Sequence, residues 1–187
     1  MKHKKSKFAK CVFLPYSQRN SWPKNGIVID VTSHAEEPYC QFSPFYIHGG
    51  IPIPGMPGME SDTVEGIWQG LKILSGGIAT RYFKGGGRKR PGKPQGHLYG
   101  KKQIGYVEAR RKIFLASYEW VLENRIDPAV INVFIDRAFQ GITQYFHDFG
   151  SNGDINNTNM SLAHAALLVQ YLNRRCTQRA ERLDSET

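Results

Sequence analysis

One domain that mixes several helices with a small amount of strand is what this chain predicts, and three observations predict it. Its 187 residues are enough for one substantial core, and two domains would be a strained division. Apolar residues make up 40% of the chain, with ten Phe, nine Tyr and three Trp, which is ample for burial in an ordinary globular protein. Apolar positions recur at helical offsets in several stretches, whereas short β-branched runs bounded by turn residues read as strands.

Residues 1–10 are expected to form a flexible basic tail, residues 11–175 the folded domain, and residues 176–187 a charged C-terminal tail. An early strand is expected at Val12 to Leu14. The run Gly26-Ile-Val-Ile-Asp-Val31 places a second strand in the sheet. Gln41 to His48 is aromatic and predicts an irregular strand interrupted by Pro44. Pro52, Pro54 and Pro57 exclude a regular helix or a central strand between Gly49 and Gly58 and predict a shaped loop.

From Asp62 to Leu74 the spacing predicts a helix, with Val64, Ile67, Leu71 and Leu74 on one arc and Glu65, Gln69 and Lys72 clustered on the next, Trp68 at the border. Gly76 and Gly77 end it. Asp62 is a good N-cap, and Glu65 stands three residues later as in a capping box, so a local role competes with a functional one for that carboxylate. Residues 84–102 are rich in Gly, Pro and positive charge and predict a basic loop. Helical offsets of Ile104, Val107, Phe114, Tyr118 and Val121 predict a helix over 103–124. Asp127-Pro128 opens another, continued through Phe134, Ala138 and Ile142 toward Tyr145. Phe149 to Asn157 reads as a polar loop, and Met160 to Leu172 as a last apolar helix.

Charge and cysteine content bound the function. Lys and Arg exceed Asp and Glu by 25 to 16, a net charge of +9 that favours phosphate-bearing partners. The surplus is concentrated in Lys2, Lys4, Lys5, Lys7 and Lys10, and in Arg81 to Lys102, which contains no acidic residue. Cys11, Cys40 and Cys176 are odd in number and widely spaced, which predicts a reducing compartment and neither a disulfide framework nor a zinc cluster. With no apolar run of membrane-spanning length and no secretion-type h-region, a soluble cytoplasmic protein without a membrane partner is expected.

Two motif matches fail on chemistry. Gly87 to Pro94 nearly spells a P-loop, but Pro94 stands where a Ser or Thr hydroxyl would meet magnesium. Asp148-Phe149-Gly150 spells the kinase magnesium motif in a chain with neither the catalytic loop nor the length of a kinase. His3, His34, His48, His97, His147 and His164 form no compact ligand spacing, so no metal and no cofactor are predicted. His147 beside Asp148 is a conceivable acid/base pair, although sequence neighbours do not normally face one another.

The pattern Thr63-Val64-Glu65-x-x-x-Gln69-x-x-Lys72, joined to the upstream Gln41-Phe42-Ser43-Pro44-Phe45-Tyr46, resembles the NADAR/YbiA-like superfamily. The resemblance covers about Val28 to Lys72 and, more loosely, Tyr106 to Leu172. Asp148-Phe149-Gly150 with Asn159 ahead of the last helix is similar to a degenerate form of that family's Asp, Trp-Gly and Asn elements, and Pro52 to Met59 looks like an insertion. It implies a compact, helix-rich α+β domain with a small sheet, acting on ribosyl N-glycosidic bonds of ADP-ribose-linked or related nucleotide or ribosylamine substrates.

Glu65 is then the first candidate to stabilise oxocarbenium-like charge or activate water, and Asp148 the second. Lys72 is expected either to protonate the departing base or to hold a pyrophosphate. Gln69 would orient water or a ribose hydroxyl, and Phe42, Phe45, Tyr46 or Trp68 would stack on a base. Arg88, Lys89, Arg90 and Lys93 would close over phosphates, with Asn159 a further substrate contact. The competing readings are a non-catalytic basic nucleic-acid-binding protein and an inactive ADP-ribose-binding relative.

Overall fold

The computed structural model describes residues 7–186, so the predicted contribution of Lys2, Lys4 and Lys5 lies outside the described residues. The chain folds as α+β. Three strands form a parallel sheet: β1 (Cys11–Phe13) and β2 (Ile27–Asp30) flank β8 (Gln144–His147), the central strand. Between β2 and β8 the chain makes a small antiparallel pair, β3 (Ile51–Pro52) with β4 (Glu60–Ser61), then the helix α1 (Val64–Gly70). A second antiparallel sheet follows, of β5 (Lys72–Ile73), β6 (Gly96–Tyr99) and β7 (Lys102–Ile104).

The helical layer comes next. α2 (Tyr106–Ala109) passes through a π-helical turn, Arg110–Leu115, into α3 (Ala116–Asn124). α4 (Pro128–Phe139) starts as expected, with the Asp127 carboxylate accepting from the Ala129 amide and proline in the first turn. α5 (His164–Ser185) packs across β1 and β8. Among the described residues no helix is long and apolar enough to cross a membrane.

β1 lies at the edge of the parallel sheet, and a side chain finishes it. The Asn173 amide accepts from the Cys11 N–H and donates to the Cys11 carbonyl, both at 2.9 Å, which satisfies the open side as a further strand would. In β8, Gln144 is buried and its side chain donates to the Phe134 carbonyl at 2.8 Å, fixing α4 over the sheet.

Several expected boundaries move, each for a local reason. The aromatic segment 41–48 is not a strand: Tyr39–Phe42 forms a 3₁₀ turn, and Ser43 and Tyr46 donate to carbonyls three residues back, which leaves no ladder for Pro44 to interrupt. The helix toward Tyr145 stops at Phe139 because Gly141 takes φ +80°, freeing Gln144–His147 to pair on both edges. The last helix is longer than expected, and the charged end from Cys176 continues it to Ser185. The basic stretch 84–102 is a loop only to Gln95, after which β6 begins.

α1 departs furthest from its expectation. It begins at Val64 with Thr63, not Asp62, as N-cap, the Thr63 hydroxyl accepting from the Gly66 amide at 2.8 Å. It ends at Gly70, where Lys72 leaves to pair with His97. All seven of its residues are buried, so it is an interior helix rather than a half-exposed one. Gly70 explains how it fits, since a Cβ there would fall within the Phe83 ring. Gly70→Ala is therefore expected to cost about 1–3 kcal/mol through overpacking. Urea unfolding of the variant checks this, and an unchanged midpoint would contradict it.

Candidate functional site

A cavity of about 580 Å³ opens at the carboxyl ends of β2 and β8, the place where parallel sheets ordinarily receive ligands. Thr32 to His34 enter from the end of β2, Asp148 to Gly150 from the end of β8, and α1 forms the opposite wall with Glu65, Trp68 and Gln69. Lys72 on β5, with Lys89 and Arg90 from the basic loop, closes one side, and Ser161 to His164 closes another. Segments more than a hundred residues apart thus meet around one space.

Glu65 is the chemically distinctive group. It is 6% exposed and borders the cavity, and its Oε1 accepts from Gln69 Nε2 at 2.5 Å, a contact one helical turn along α1. No capping box competes for it, because the Asp62 amide donates to the Phe83 carbonyl instead. Burial raises the Glu65 carboxyl above its ordinary range, against the opposing pull of Gln69 and of the charges on Lys72, Lys89 and His164. Burial likewise lowers the Lys72 ammonium; Glu65 opposes that shift, and Lys89 and Arg90 add to it. The acid and the base are pushed toward each other across neutral pH.

Asp148 also lines the cavity, but its oxygens are taken. Oδ2 accepts from the Ala165 amide at 3.0 Å and faces His164 Nδ1 at 2.8 Å, while Oδ1 accepts from the Gly150 amide. Although burial alone would raise it, the His164 ring and the two amides outweigh burial and hold the carboxyl below its ordinary range. The expected second catalytic carboxylate is therefore a clamp on the start of α5. His164 Nε2 in turn stands 2.8 Å from the Val31 carbonyl, so both ring nitrogens face acceptors. The acid/histidine pair here is Asp148 with His164, while the His147 ring lies tilted against Trp22 with 4.4 Å between centroids.

The expected phosphate-binding cations separate in the same way. Arg90 borders the cavity, yet its guanidinium donates to the carbonyls of Lys72 and Gly77, both at 2.8 Å, and its amide donates to Gln69 Oε1 at 3.0 Å. It pins the basic loop over α1. Arg88 is exposed and lies outside the cavity lining. Lys72 and Lys89 line the cavity and their side-chain ammoniums make no hydrogen bond among the described residues, so the cationic contribution rests with them. Gly87 allows the loop to lie this close: a Cβ there would meet the Glu65 Cβ at 2.9 Å and Phe45 at 3.0 Å.

Of the four expected stacking residues, Phe45 and Trp68 line the cavity. Trp68 stacks on His97, 3.9 Å between ring centroids, and meets Tyr106 and Phe114 in T-shaped contacts, so three rings already hold it as part of the wall. His97 itself is fully buried with neither ring nitrogen hydrogen-bonded, and burial, helped by the Lys72 charge, pushes its pKa down to about 4. Phe42 is a core residue at 0% exposure, against Phe134, because the 3₁₀ turn points it inward. Tyr46 turns away, its hydroxyl donating to Glu37 at 3.1 Å and its ring on His48. Asn159 is exposed and off the lining, its amide donating to the Asn157 side chain.

Two further contributors carried no sequence signal that separated them from ordinary residues, and a third carried only a local one. Arg110, 1% exposed, donates to the carbonyls of Ile155, Asn157 and Met160 at 2.9, 2.7 and 2.5 Å and so fixes the loop that leads to Ser161 and His164. It opens the π-helical turn, a local irregularity often found at functional sites. His164 is the second. The third is Phe149, an aromatic ring 60% exposed at the mouth, held edge-on by Tyr16 and His34. Its signal was its adjacency to Asp148. Among the described residues no group of three or more His, Cys, Asp or Glu is disposed to hold a metal ion.

The family described as "Family of unknown function (DUF6939)" matches residues 15–168, most of the chain and every cavity residue discussed above, and the chain belongs to it. No curated protein and no solved structure matches the chain.

The two carboxyls predict opposite pH behaviour. Glu65, raised in the folded state, contributes stability at pH below the ordinary 4.5 that is lost as pH rises through its folded value. Glu65→Gln is thus expected to melt higher than the native protein at neutral and alkaline pH and level with it in acid. Asp148, lowered in the folded state, contributes above the ordinary 3.8 and loses that contribution as pH falls through its folded value. Asp148→Asn is expected to cost about 2–4 kcal/mol near neutrality, as loss of charge-assisted hydrogen bonds does. Thermal melts from pH 3 to pH 9 check both signs.

Proposed function

We propose that this cavity hydrolyses a ribosyl N-glycosidic bond in an ADP-ribose-linked or related nucleotide substrate, with Glu65 as the catalytic carboxylate. The observation that carries the reading is a buried acid with one oxygen held by Gln69 and the other without a hydrogen bond among the described residues, lining a cavity beside two lysines whose ammoniums likewise make none among those residues.

In this reaction water adds to the anomeric carbon, the carbon–nitrogen bond breaks, and the departing base takes a proton. Ionised Glu65 accepts the proton from the attacking water and offsets the positive charge developing on the sugar. Gln69 fixes the carboxylate by its hydrogen bond, so no side-chain freedom is lost at that step. Lys72, made more acidic by burial, supplies the proton to the leaving nitrogen. Lys89, exposed at the cavity edge, is the phosphate contact, and Phe149 offers the base a ring face at the mouth. Asp148 and Arg110 touch neither reactant and act by positioning the loops. A reducing, cytoplasmic setting is part of the proposal, supported by the three unpaired cysteines Cys11, Cys40 and Cys176.

Incubation with guanine-ADP-ribosylated DNA, ADP-ribose and ribosylamines, followed by mass spectrometry, tests the reaction directly; ligand binding with no product in any arm would replace the enzyme reading with that of a binding protein. The rate should follow a bell, rising as Glu65 ionises above 4.5 and falling as Lys72 loses its proton below 10.5. Glu65→Gln should lower kcat by about 10²- to 10⁴-fold. Lys89→Gln should instead raise KM roughly tenfold with kcat preserved. Near-native turnover by the Glu65 variant would sink the assignment.

A further inference from the structure

A second cleft, of about 640 Å³, lies between α4 and the C-terminal half of α5 and is separate from the cavity at the sheet's carboxyl end. α5 starts at that cavity with His164 and runs to the other end of the sheet, where Asn173 holds Cys11 at the beginning of β1. The cleft residues of α5 begin at Arg175, some 16 Å further along the helix axis at about 1.5 Å per residue.

Arg175, Arg179 and Arg182 line this cleft together, faced by the single carboxylate of Asp136. At about 100° per residue the three arginines and Gln178 fall within roughly a 100° arc, Glu181 stands beside that arc and Asp184 opposite it, and Glu186, the C-cap of α5, falls on the arginine side one turn beyond Arg182. Charges that merely solvate a helix alternate in sign at offsets of three and four; here arginine follows arginine at both offsets, an arrangement that repels. Two of the three side chains are also held. Arg179 pairs with Asp136 at 2.5 Å and lies over the Phe139 ring, and Arg175 donates to the Tyr171 hydroxyl at 2.9 Å. Aligned, partly immobilised guanidiniums that repel one another across a polar cleft have the features of an anion site.

We infer that this cleft binds a phosphate-bearing ligand through Arg175, Arg179 and Arg182. The planar forks suit phosphate oxygens, and the bound charge relieves the repulsion along α5. Arg179 is already balanced by Asp136, so Arg175 and Arg182 carry the net positive charge.

The test follows the arginine side-chain Nε–Hε resonances of the full chain by NMR during titration with pyrophosphate and, separately, with a single-stranded oligonucleotide. The Arg175→Gln/Arg182→Gln variant leaves the Arg179–Asp136 pair intact, and circular dichroism checks its fold. Saturable shifts of the Arg175, Arg179 and Arg182 signals are expected, with affinity roughly tenfold or more weaker in the double variant. A Lys72→Gln/Lys89→Gln variant should leave these shifts unaltered, which separates this cleft from the proposed active site. Pyrophosphate saturation that the oligonucleotide does not improve on would identify a small phosphorylated ligand. Tighter oligonucleotide binding with a steep salt slope would identify a nucleic-acid backbone. Absent shifts, or equal affinity in the Arg175/Arg182 variant, would overturn the inference.

Discussion

The hydrogen bonds converging on Asp148 are the constraint from which the cavity follows. One carboxylate at the end of β8 receives the amides of Gly150 and Ala165 and faces the His164 ring, whose far nitrogen stands against Val31 just beyond β2. It thereby ties together the ends of two parallel strands and the start of a 22-residue helix. The start of a helix leaves amides unsatisfied, and a buried carboxylate there is favourable both by hydrogen bonding and by the sign of its charge. Arg110 does the complementary work on the next stretch of chain, filling three carbonyls that a loop folded inward would leave unpaired. A polar clamp and a polar brace, rather than apolar packing, hold the rim.

This arrangement divides the ionisable residues around the cavity by what they have left to offer. Asp148, Arg90 and Arg110 present charge but spend their hydrogen-bonding capacity on the protein itself. Glu65, Lys72 and Lys89 do not. A buried carboxylate with a single hydrogen bond is costly to keep, because burial disfavours its ionised form and Gln69 returns only part of the loss. Such a cost in an interior helix is the kind that function, not folding, maintains.

Much of this was legible in the sequence wherever local chemistry decides structure. Ile27 to Asp30 announced a strand by its β-branched run, Asp127-Pro128 a helix start, and Glu65 with Gln69 a shared face one turn apart. What escaped depended on long-range partners. Lys72 looked helical by offset, and pairing with His97 made it a strand residue; Gln144 and Tyr145 looked like the end of a helix until two neighbours made them part of the central strand of a sheet. Phe42 and Phe45 stand three apart, yet one is core and the other cavity wall, because the 3₁₀ turn ends at Phe42 and Ser43 leaves it in an extended conformation, so the two rings belong to differently directed stretches of chain.

The charges teach the same lesson at the scale of the whole chain. The densest basic run, Gly87 to Lys93, drew attention as a phosphate grip, but its backbone glycine and the Arg90 fork serve to seat the loop against α1, and of its two cations on the cavity lining Arg90 is spent on carbonyls while the Lys89 ammonium makes no hydrogen bond among the described residues. The three cleft arginines of α5, Arg175, Arg179 and Arg182, are spaced by four and three in sequence, and the helix gathers them into a single stripe facing α4. Contiguous charge in a loop is free to be consumed by nearby carbonyls, since the backbone there lacks a ladder of its own. Charge at helical spacing has no such backbone outlet, because the carbonyls beneath it are already bonded, and it turns instead to side chains such as Asp136 and Tyr171, to water or to a ligand.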